Sequence, residues 1–448
     1  MVEPGGRNRP RWSWIERVPA AAVVGALAVV LGYLTRVWVR ASAGPLVWND
    51  SADYLASAHT PLWSVDRLLG PRPILMPLVL SASHLSLEHL VEAHDAVAAV
   101  SWGLLAGVTA GCFRGGWRPV VAGGAVLVFS LTWPITMWDQ QVLTESLALS
   151  TFALLAAAGV WFARHRTPAR GAWLVVAATL WLVARDSHII PVAAVGLGLV
   201  GAAVARFTGP RRTVVLTGGF LVAVAFLAAG SAQYGHRDRQ PIEHVYVARV
   251  LPYPERVEWF AHHGMPEARA LEALPEVVDP GGLHATYTPV DAAPAWDRWR
   301  AWLDRDGRRT LLAYTAAHPS YVWSEPEEQP ERVFNNGVGL ATYRPLDLHE
   351  VPWIATVFAP GVPLVAVVAA GAVTTLVVRR LPWTALATVG AVLALTSAPH
   401  ALVVWHSDGM ESARHLLVPT VQLRTGVLLL LLAALLGQRP REICPPSS

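Results

Sequence analysis

The chain contains no lysine. All 35 of its basic residues are arginine, set against 32 acidic residues for a net charge of +3. That surplus is too small to argue for a nucleic-acid partner, and the arginines gather at the ends of apolar runs instead. Charge of either sign is scarce. Only 15% of residues are charged, where an ordinary soluble domain carries about 25%. Cysteine is nearly missing as well. Cys112 closes an apolar run beside Arg114, and Cys444 lies in the C-terminal tail, so no disulfide can staple the long polar region 234–355. The sequence has no Cys/His cluster of zinc-ligand spacing and so gives no basis for a thiolate zinc site. The long polar region shows neither an internal repeat nor low complexity.

What remains is apolar. Of 448 residues, 53% are hydrophobic, and the mean hydropathy is +0.39. Trp38, Trp48, Trp133, Trp138, Trp383 and Trp405 sit near segment ends, as interfacial aromatic belts do. About 20 apolar residues cross a bilayer as a helix. The candidate spans are 18–39, 93–113, 118–138, 142–163, 171–185, 188–206, 213–233, 356–378, 383–405 and 415–436. The N-terminal arginines, the first run and Ala41-Ser42-Ala43 have the look of a signal peptide. Residues 18–39 exceed the usual 7–15-residue signal core, however, and read as an uncleaved anchor. The run 72–87, with Pro73 and Pro77 near its start, reads as a helix at the interface that does not cross.

Arginine placement supports that choice. Arg114 and Arg118, then Arg164, Arg166 and Arg170, then Arg206, Arg211 and Arg212, then Arg379 and Arg380, and finally Arg439 and Arg441 flank successive short loops. All fall on the cytoplasmic side, under the positive-inside rule, only if 72–87 stays out of the count. The expectation is an all-α polytopic protein of the cell membrane with about ten transmembrane helices and both termini inside. Its parts are an N-terminal core (1–233) with a first outer loop (40–92), an extracytoplasmic region (234–355), C-terminal helices (356–437) and a cytoplasmic tail (438–448). Within the outer region, Trp296 to Leu312 carries helical spacing, and Thr310 to Trp323 reads as a helix stopped at His318-Pro319.

This topology gathers the unusual charged groups on one face. Asp50 and Asp53 lie in NDSADYLASAH, directly before Tyr54, and Arg72 lies in the GPRP element that follows. A carboxylate within hydrogen-bond reach can deprotonate an attacking hydroxyl; the alternative is two solvated acids on a loop. Asp139 and Glu145 stand at the mouth of a later helix. They are candidates for a divalent cation such as Mg²⁺ or Mn²⁺, since hard cations share carboxylate oxygens with substrate phosphates. Glu145 serves a helix dipole equally well, and a metal-independent site stays open. Arg185 and Asp186, next to His188, either pair with one another or face a substrate. Asp408, Glu411, Arg414 and His415 fall between the last two spans. Arg424 lies about two turns into the final one, where it either snorkels or binds a lipid phosphate bidentately.

In layout the chain resembles the GT-C superfamily of membrane glycosyltransferases, which use polyprenyl-phosphate sugars. The likeness rests on Asp50-Ser51-Ala52-Asp53-Tyr54 in the first outer loop, the GPRP element, Glu145 opening a later helix, and a large outer loop after seven spans. In that loop HPSYVW is similar to the family's short amphipathic helix. The ending MESARHLLVPTVQLRTG is similar to actinobacterial members proposed as hexose transferases of glycan biosynthesis. The resemblance implies a GT-C-like bundle with a large extracytoplasmic loop, and Asp50 as catalytic base with Asp53 second. Ser51 stands where the family has a second acid. On the reading of the residues, the candidate substrate contacts are Tyr54, Arg72, Arg185, His188, Asp408, Glu411, Arg414, His415 and Arg424. The partners are a polyprenyl-phosphate sugar, membrane lipid, and an extracytoplasmic glycan or protein acceptor. A transporter or flippase, or a polymerase or ligase of lipid-linked glycans, is the alternative.

Overall fold

A computed structural model describes residues 20–40, 44–61, 64–205, 211–237, 239–266, 294–328, 361–407 and 412–437. Among them the secondary structure is helical, and the only β pairing is an isolated bridge between Leu46 and Gln141. The helices of the N-terminal part are α1 (Ala20–Val39), α2 (Asn49–His59), α3 (Val65–Leu68), α4 (Leu75–Ala82), α5 (Leu87–Ala110) and α6 (Arg118–Ser130). They continue as α7 (Trp133–Thr136), α8 (Glu145–Arg164), α9 (Pro168–Leu182), a 3-10 turn Asp186–His188, α10 (Ile189–Val204) and α11 (Arg211–Tyr234). Then follow α12 (Arg239–Arg249), α13 (Pro254–His262), α14 (Pro294–Trp302), α15 (Arg308–Ala317) and α16 (Tyr321–Glu328). The last four are α17 (Val362–Val378), α18 (Ala385–Ser407), α19 (Ser412–His415) and α20 (Leu417–Leu436).

Among the described residues six helices are long and apolar enough to cross a membrane: α1, α8, α10 with its preceding turn, α11, α18 and α20. The other four expected spans are also helices but fall short of that measure. α6 and α9 have 13 and 15 residues, α17 has 17, and α5, with 24, carries Glu88, Glu92 and Asp95. The expected span 118–138 ends early, at Ser130, because the chain leaves the helix at Leu131 and restarts at Trp133 as the one-turn α7, with Pro134 in its first turn. The run 72–87 shortens to the eight residues of α4, about 12 Å of helix against a hydrocarbon core of about 30 Å. His84 and Leu85, both at positive φ (53° and 60°), turn the chain directly from α4 into α5.

The long helices pack through small residues. Where α1 crosses α5, a Cβ on Gly107 would lie 3.1 Å from the Cα of Gly25. Where α18 crosses α20, a Cβ on Gly426 would lie 2.7 Å from the Gly390 carbonyl oxygen. Close backbone approach of this kind is how helices associate in lipid, where no hydrophobic drive separates helix from solvent. One core runs through the bundle around Trp102, Phe152 and Trp181.

A second, separate core forms outside it. Tyr246, Phe260, Trp299, Trp302, Tyr314 and Tyr321 bury one another between α12, α13, α14, α15 and α16. The Tyr246 hydroxyl donates to the Gly307 carbonyl at 2.7 Å, within a five-residue π-turn (Leu303–Gly307) that joins α14 to α15. As the sequence led one to expect, α15 stops at Ala317, before His318-Pro319. This small unit sits on the end of α18. Arg249 lies 4.1 Å over the Trp405 ring, and the His406 ring nitrogen Nε2 lies 3.1 Å from the Val322 carbonyl oxygen. Glu325 takes both Arg249 (2.8 Å) and Arg256.

Candidate functional site

The site begins with a local tether. The strand-like segment 44–48 runs beside the turn 137–142: Leu46 N–H donates to the Gln140 carbonyl and Val142 N–H to the Leu46 carbonyl, both at 2.9 Å. Gln140 Nε2 donates to the Gly44 carbonyl at 2.8 Å. Ser51, in the first turn of α2, accepts the Trp48 N–H at 2.9 Å and donates to the Val142 carbonyl at 2.8 Å. The serine at the expected acid position therefore has a part of its own, pinning α2 to the turn that opens α8. The result is that Asp50 and Glu145 stand at one mouth of the bundle.

Three arginines close the cluster. Arg72 Nη2 donates to Asp50 Oδ1 at 3.0 Å and to Asp53 Oδ2 at 2.5 Å. Its guanidinium lies 5.4 Å from the centre of the buried Tyr54 ring. Arg414 Nη2 donates to Asp50 Oδ2 at 2.6 Å and lies 3.0 Å from His415 Nε2, while Arg414 Nε stands 3.4 Å from Glu145 Oε1. Arg185 Nη1 donates to the same Glu145 oxygen at 3.0 Å. Four segments that are far apart in sequence thus meet in one chain of charges: Asp53, Arg72, Asp50, Arg414, Glu145, Arg185. Glu145 is almost wholly buried, and among the described residues its second oxygen, Oε2, has no hydrogen-bond donor.

The electrostatics of Asp50 follow. Burial alone would raise its pKa, but the Arg414 and Arg72 guanidiniums outweigh burial and hold it down at about 2. Burial pushes the Tyr54 phenol up. Asp50 is therefore a carboxylate at any physiological pH. Its folded-state pKa lies below the ordinary value of 3.8, so the stability it contributes is present above 3.8 and is lost as pH falls through about 2.

The remaining expected site residues divide. Asp139 is not in this cluster. Its Oδ2 accepts Arg36 Nε at 3.0 Å and its Oδ1 accepts the Ser146 hydroxyl at 2.6 Å, both deep in the bundle. Beside it, Arg40 pairs with Asp95, and the His94 ring nitrogen Nδ1 lies 3.1 Å from the Asp139 carbonyl oxygen. Arg185 and Asp186 do not pair with one another: Asp186 faces Arg237 at 3.5 Å. His188 turns inward, stacked on Trp181 at 4.1 Å between ring centres and edge-on to His400 at 5.7 Å. Arg424 is buried two turns inside α20, so it is Arg414 that reaches Asp50. Asp408 and Glu411 lie outside the described residues.

A divalent cation fits this arrangement poorly. Asp139 and Glu145 belong to different clusters, and each carboxylate is already neutralised by guanidinium. Among the described residues no three His, Cys, Asp or Glu side chains converge. The site is a guanidinium–carboxylate network.

The sequence reading missed Arg36, Arg40, Asp95 and Arg67. Arg67 is buried and donates to the Thr60 and Pro77 carbonyls at 2.9 and 2.6 Å. The signal was present for two of them: an ionisable residue inside an expected span, as at Arg36 and Asp95, demands a partner. Compared with known proteins, the chain matches no family model and no curated sequence.

Proposed function

We propose that the chain is an integral membrane glycosyltransferase that moves a sugar, of the hexose class, from a polyprenyl-phosphate donor to an extracytoplasmic glycan, lipid or protein acceptor. The observation that carries the reading is Asp50 held between Arg72 and Arg414 at a helix mouth, next to Glu145 and Arg185. Guanidiniums at that position suit a lipid phosphate, and a partly exposed carboxylate between them suits an acceptor hydroxyl.

In this scheme the donor phosphate competes with Asp50 for Arg414 and Arg72. As it takes their hydrogen bonds, Asp50 loses the charges that depress its pKa and becomes a stronger base. The acceptor oxygen gives its proton to Asp50 and bonds to the anomeric carbon from the face opposite the leaving group. The bond from that carbon to the phosphate oxygen breaks, and its electron pair leaves on the lipid phosphate, which the arginines stabilise. The anomeric configuration inverts. The Oε2 of Glu145, without a donor among the described residues, is an acceptor available to a sugar hydroxyl. Release of free polyprenyl phosphate and labelled acceptor by the purified protein tests the scheme. Movement of intact donor across vesicles without cleavage overturns it in favour of a transporter.

Arg414→Gln provides a test by pH. With its largest lowering charge gone and burial unchanged, Asp50 moves up from about 2. The acidic limb of kcat/KM, which reports the free enzyme, then shifts to higher pH. A profile whose acidic limb coincides with the wild type's shows that Asp50 is not the titrating base.

For orientation, the reading places ten crossings with α12 to α16 outside and the loop between α8 and α9 in the cytoplasm. Single cysteines at Ala261 and Thr167, both exposed, are introduced with Cys112 and Cys444 replaced by alanine. An impermeant thiol reagent applied to intact cells is expected to label Ala261→Cys and to spare Thr167→Cys. The reverse pattern inverts the topology and removes the site from the outer face.

A further inference from the structure

At the end of the bundle opposite the Asp50 cluster, α9 and α11 leave a groove of about 580 Å³ between them. Gly171 and Thr217 form its floor, Val176, Leu216 and Phe220 its walls, and Arg212 its rim. Its floor exists because residue 171 is glycine, since a Cβ there would lie 2.4 Å from the Thr217 hydroxyl oxygen. Both helices begin at this end and run the same way. The lining rows, Pro168 to Val176 and Arg212 to Phe220, therefore extend side by side from the rim inward, over about 12 Å. The walls are apolar, with Thr213 and Thr217 along the groove and the charged Arg212 at one end.

The rim is basic. Arg164, Arg170, Arg211 and Arg212 lie at this end, and the sequence has no acidic residue between Glu145 and Asp186 or between Asp186 and Asp238. Arg170 is held on α8, with its guanidinium 4.9 Å over the Trp161 ring and a 3.1 Å bond to the Trp161 carbonyl. Among the described residues no carboxylate lies within ion-pair distance of Arg211 or Arg212. An apolar channel that opens on guanidiniums at a helix end complements a phospholipid with an anionic headgroup.

We propose that this groove binds one anionic glycerophospholipid of the leaflet at that end. Its phosphate engages Arg212 and Arg211, and an acyl chain lies along Val176, Leu216 and Phe220. A zwitterionic lipid fills the same walls but brings its own cation to the rim, so it binds less tightly. The lipid is a resident of the fold and takes no part in the chemistry proposed for the opposite face, so this inference stands or falls independently of glycosyl transfer.

The test is native mass spectrometry of the full chain released from nanodiscs made of equal parts phosphatidylglycerol and phosphatidylcholine. Wild type is expected to retain one phosphatidylglycerol per chain, preferred over phosphatidylcholine by about tenfold. Arg211→Gln/Arg212→Gln is expected to abolish the preference. Val176→Trp fills the groove while keeping every charge, and is expected to abolish retention. Arg114→Gln/Arg118→Gln, which removes the same charge from another loop at this end, is expected to leave retention as in wild type. Equal retention of the two lipids by wild type overturns the proposal. So does undiminished phosphatidylglycerol on the Val176→Trp variant, which would mean that the arginines hold lipid without the groove. Should the double arginine variant not remain monodisperse, the Val176→Trp result decides alone.

Discussion

Under the proposed glycosyl transfer, Asp50→Asn is expected to lower turnover of a labelled polyprenyl-phosphate sugar by about 10²–10⁴-fold, the contribution of a positioned general base. The substitution keeps the side chain's size and removes the charge that both Arg72 and Arg414 contact. Arg414 retains Glu145 as a neighbour at 3.4 Å, and Arg72 retains Asp53 at 2.5 Å, so neither guanidinium is left wholly uncompensated. Donor retention therefore survives, and the loss appears in kcat. Asp53→Asn costs much less. The Asp53 side chain is 59% exposed against 21% for Asp50, and its described ion pair is with Arg72 alone. Measuring kcat and donor affinity separately for the two variants distinguishes a base from an anchor. Equal losses in the two variants would assign the carboxylates a shared binding role, and full activity in Asp50→Asn removes it from the chemistry.

Arg36→Leu is expected to destabilise the fold by about 3–5 kcal/mol, the cost of leaving a buried charge without its partner. Arg36 is 2% exposed and Asp139 4%, and the pair links α1 to the turn ahead of α8. Arg36 also donates to the Ser130 carbonyl at 3.0 Å, which draws in the end of α6. The double variant Arg36→Leu/Asp139→Leu should regain most of that loss, because it removes both charges together. Thermal unfolding of the three proteins in one detergent and lipid mixture reads the difference. A single variant as stable as wild type shows that the pair contributes nothing. A double variant no better than the single shows that Asp139 acts through Ser146 and not through Arg36.

The contrast between these two sites shows how far the sequence reaches. Helix positions were legible from it because hydropathy and proline are local. The run with Pro73 and Pro77 at its start folds as the short α4, His318-Pro319 ended α15, and Glu145 opened α8 where the acidic motif placed it. Asp50, Tyr54 and Arg72 were legible as a motif for the same reason, since one interfacial helix and the return loop bring them together. The partners were not legible. Asp139 is separated from Arg36 by 103 residues and Asp50 from Arg414 by 364. Which arginine meets which acid depends on the rotation of each helix and on which helices are neighbours. That is fixed by close approaches such as Gly390 against Gly426 and by the tether from Leu46 to Gln140 and Val142. The sequence by itself determined an apolar, lysine-free helical chain with its ionisable groups at helix mouths. Only the tertiary structure decided that Glu145 joins Asp50 while Asp139 turns away to Arg36, because a buried carboxylate must settle against whatever cation the packing delivers.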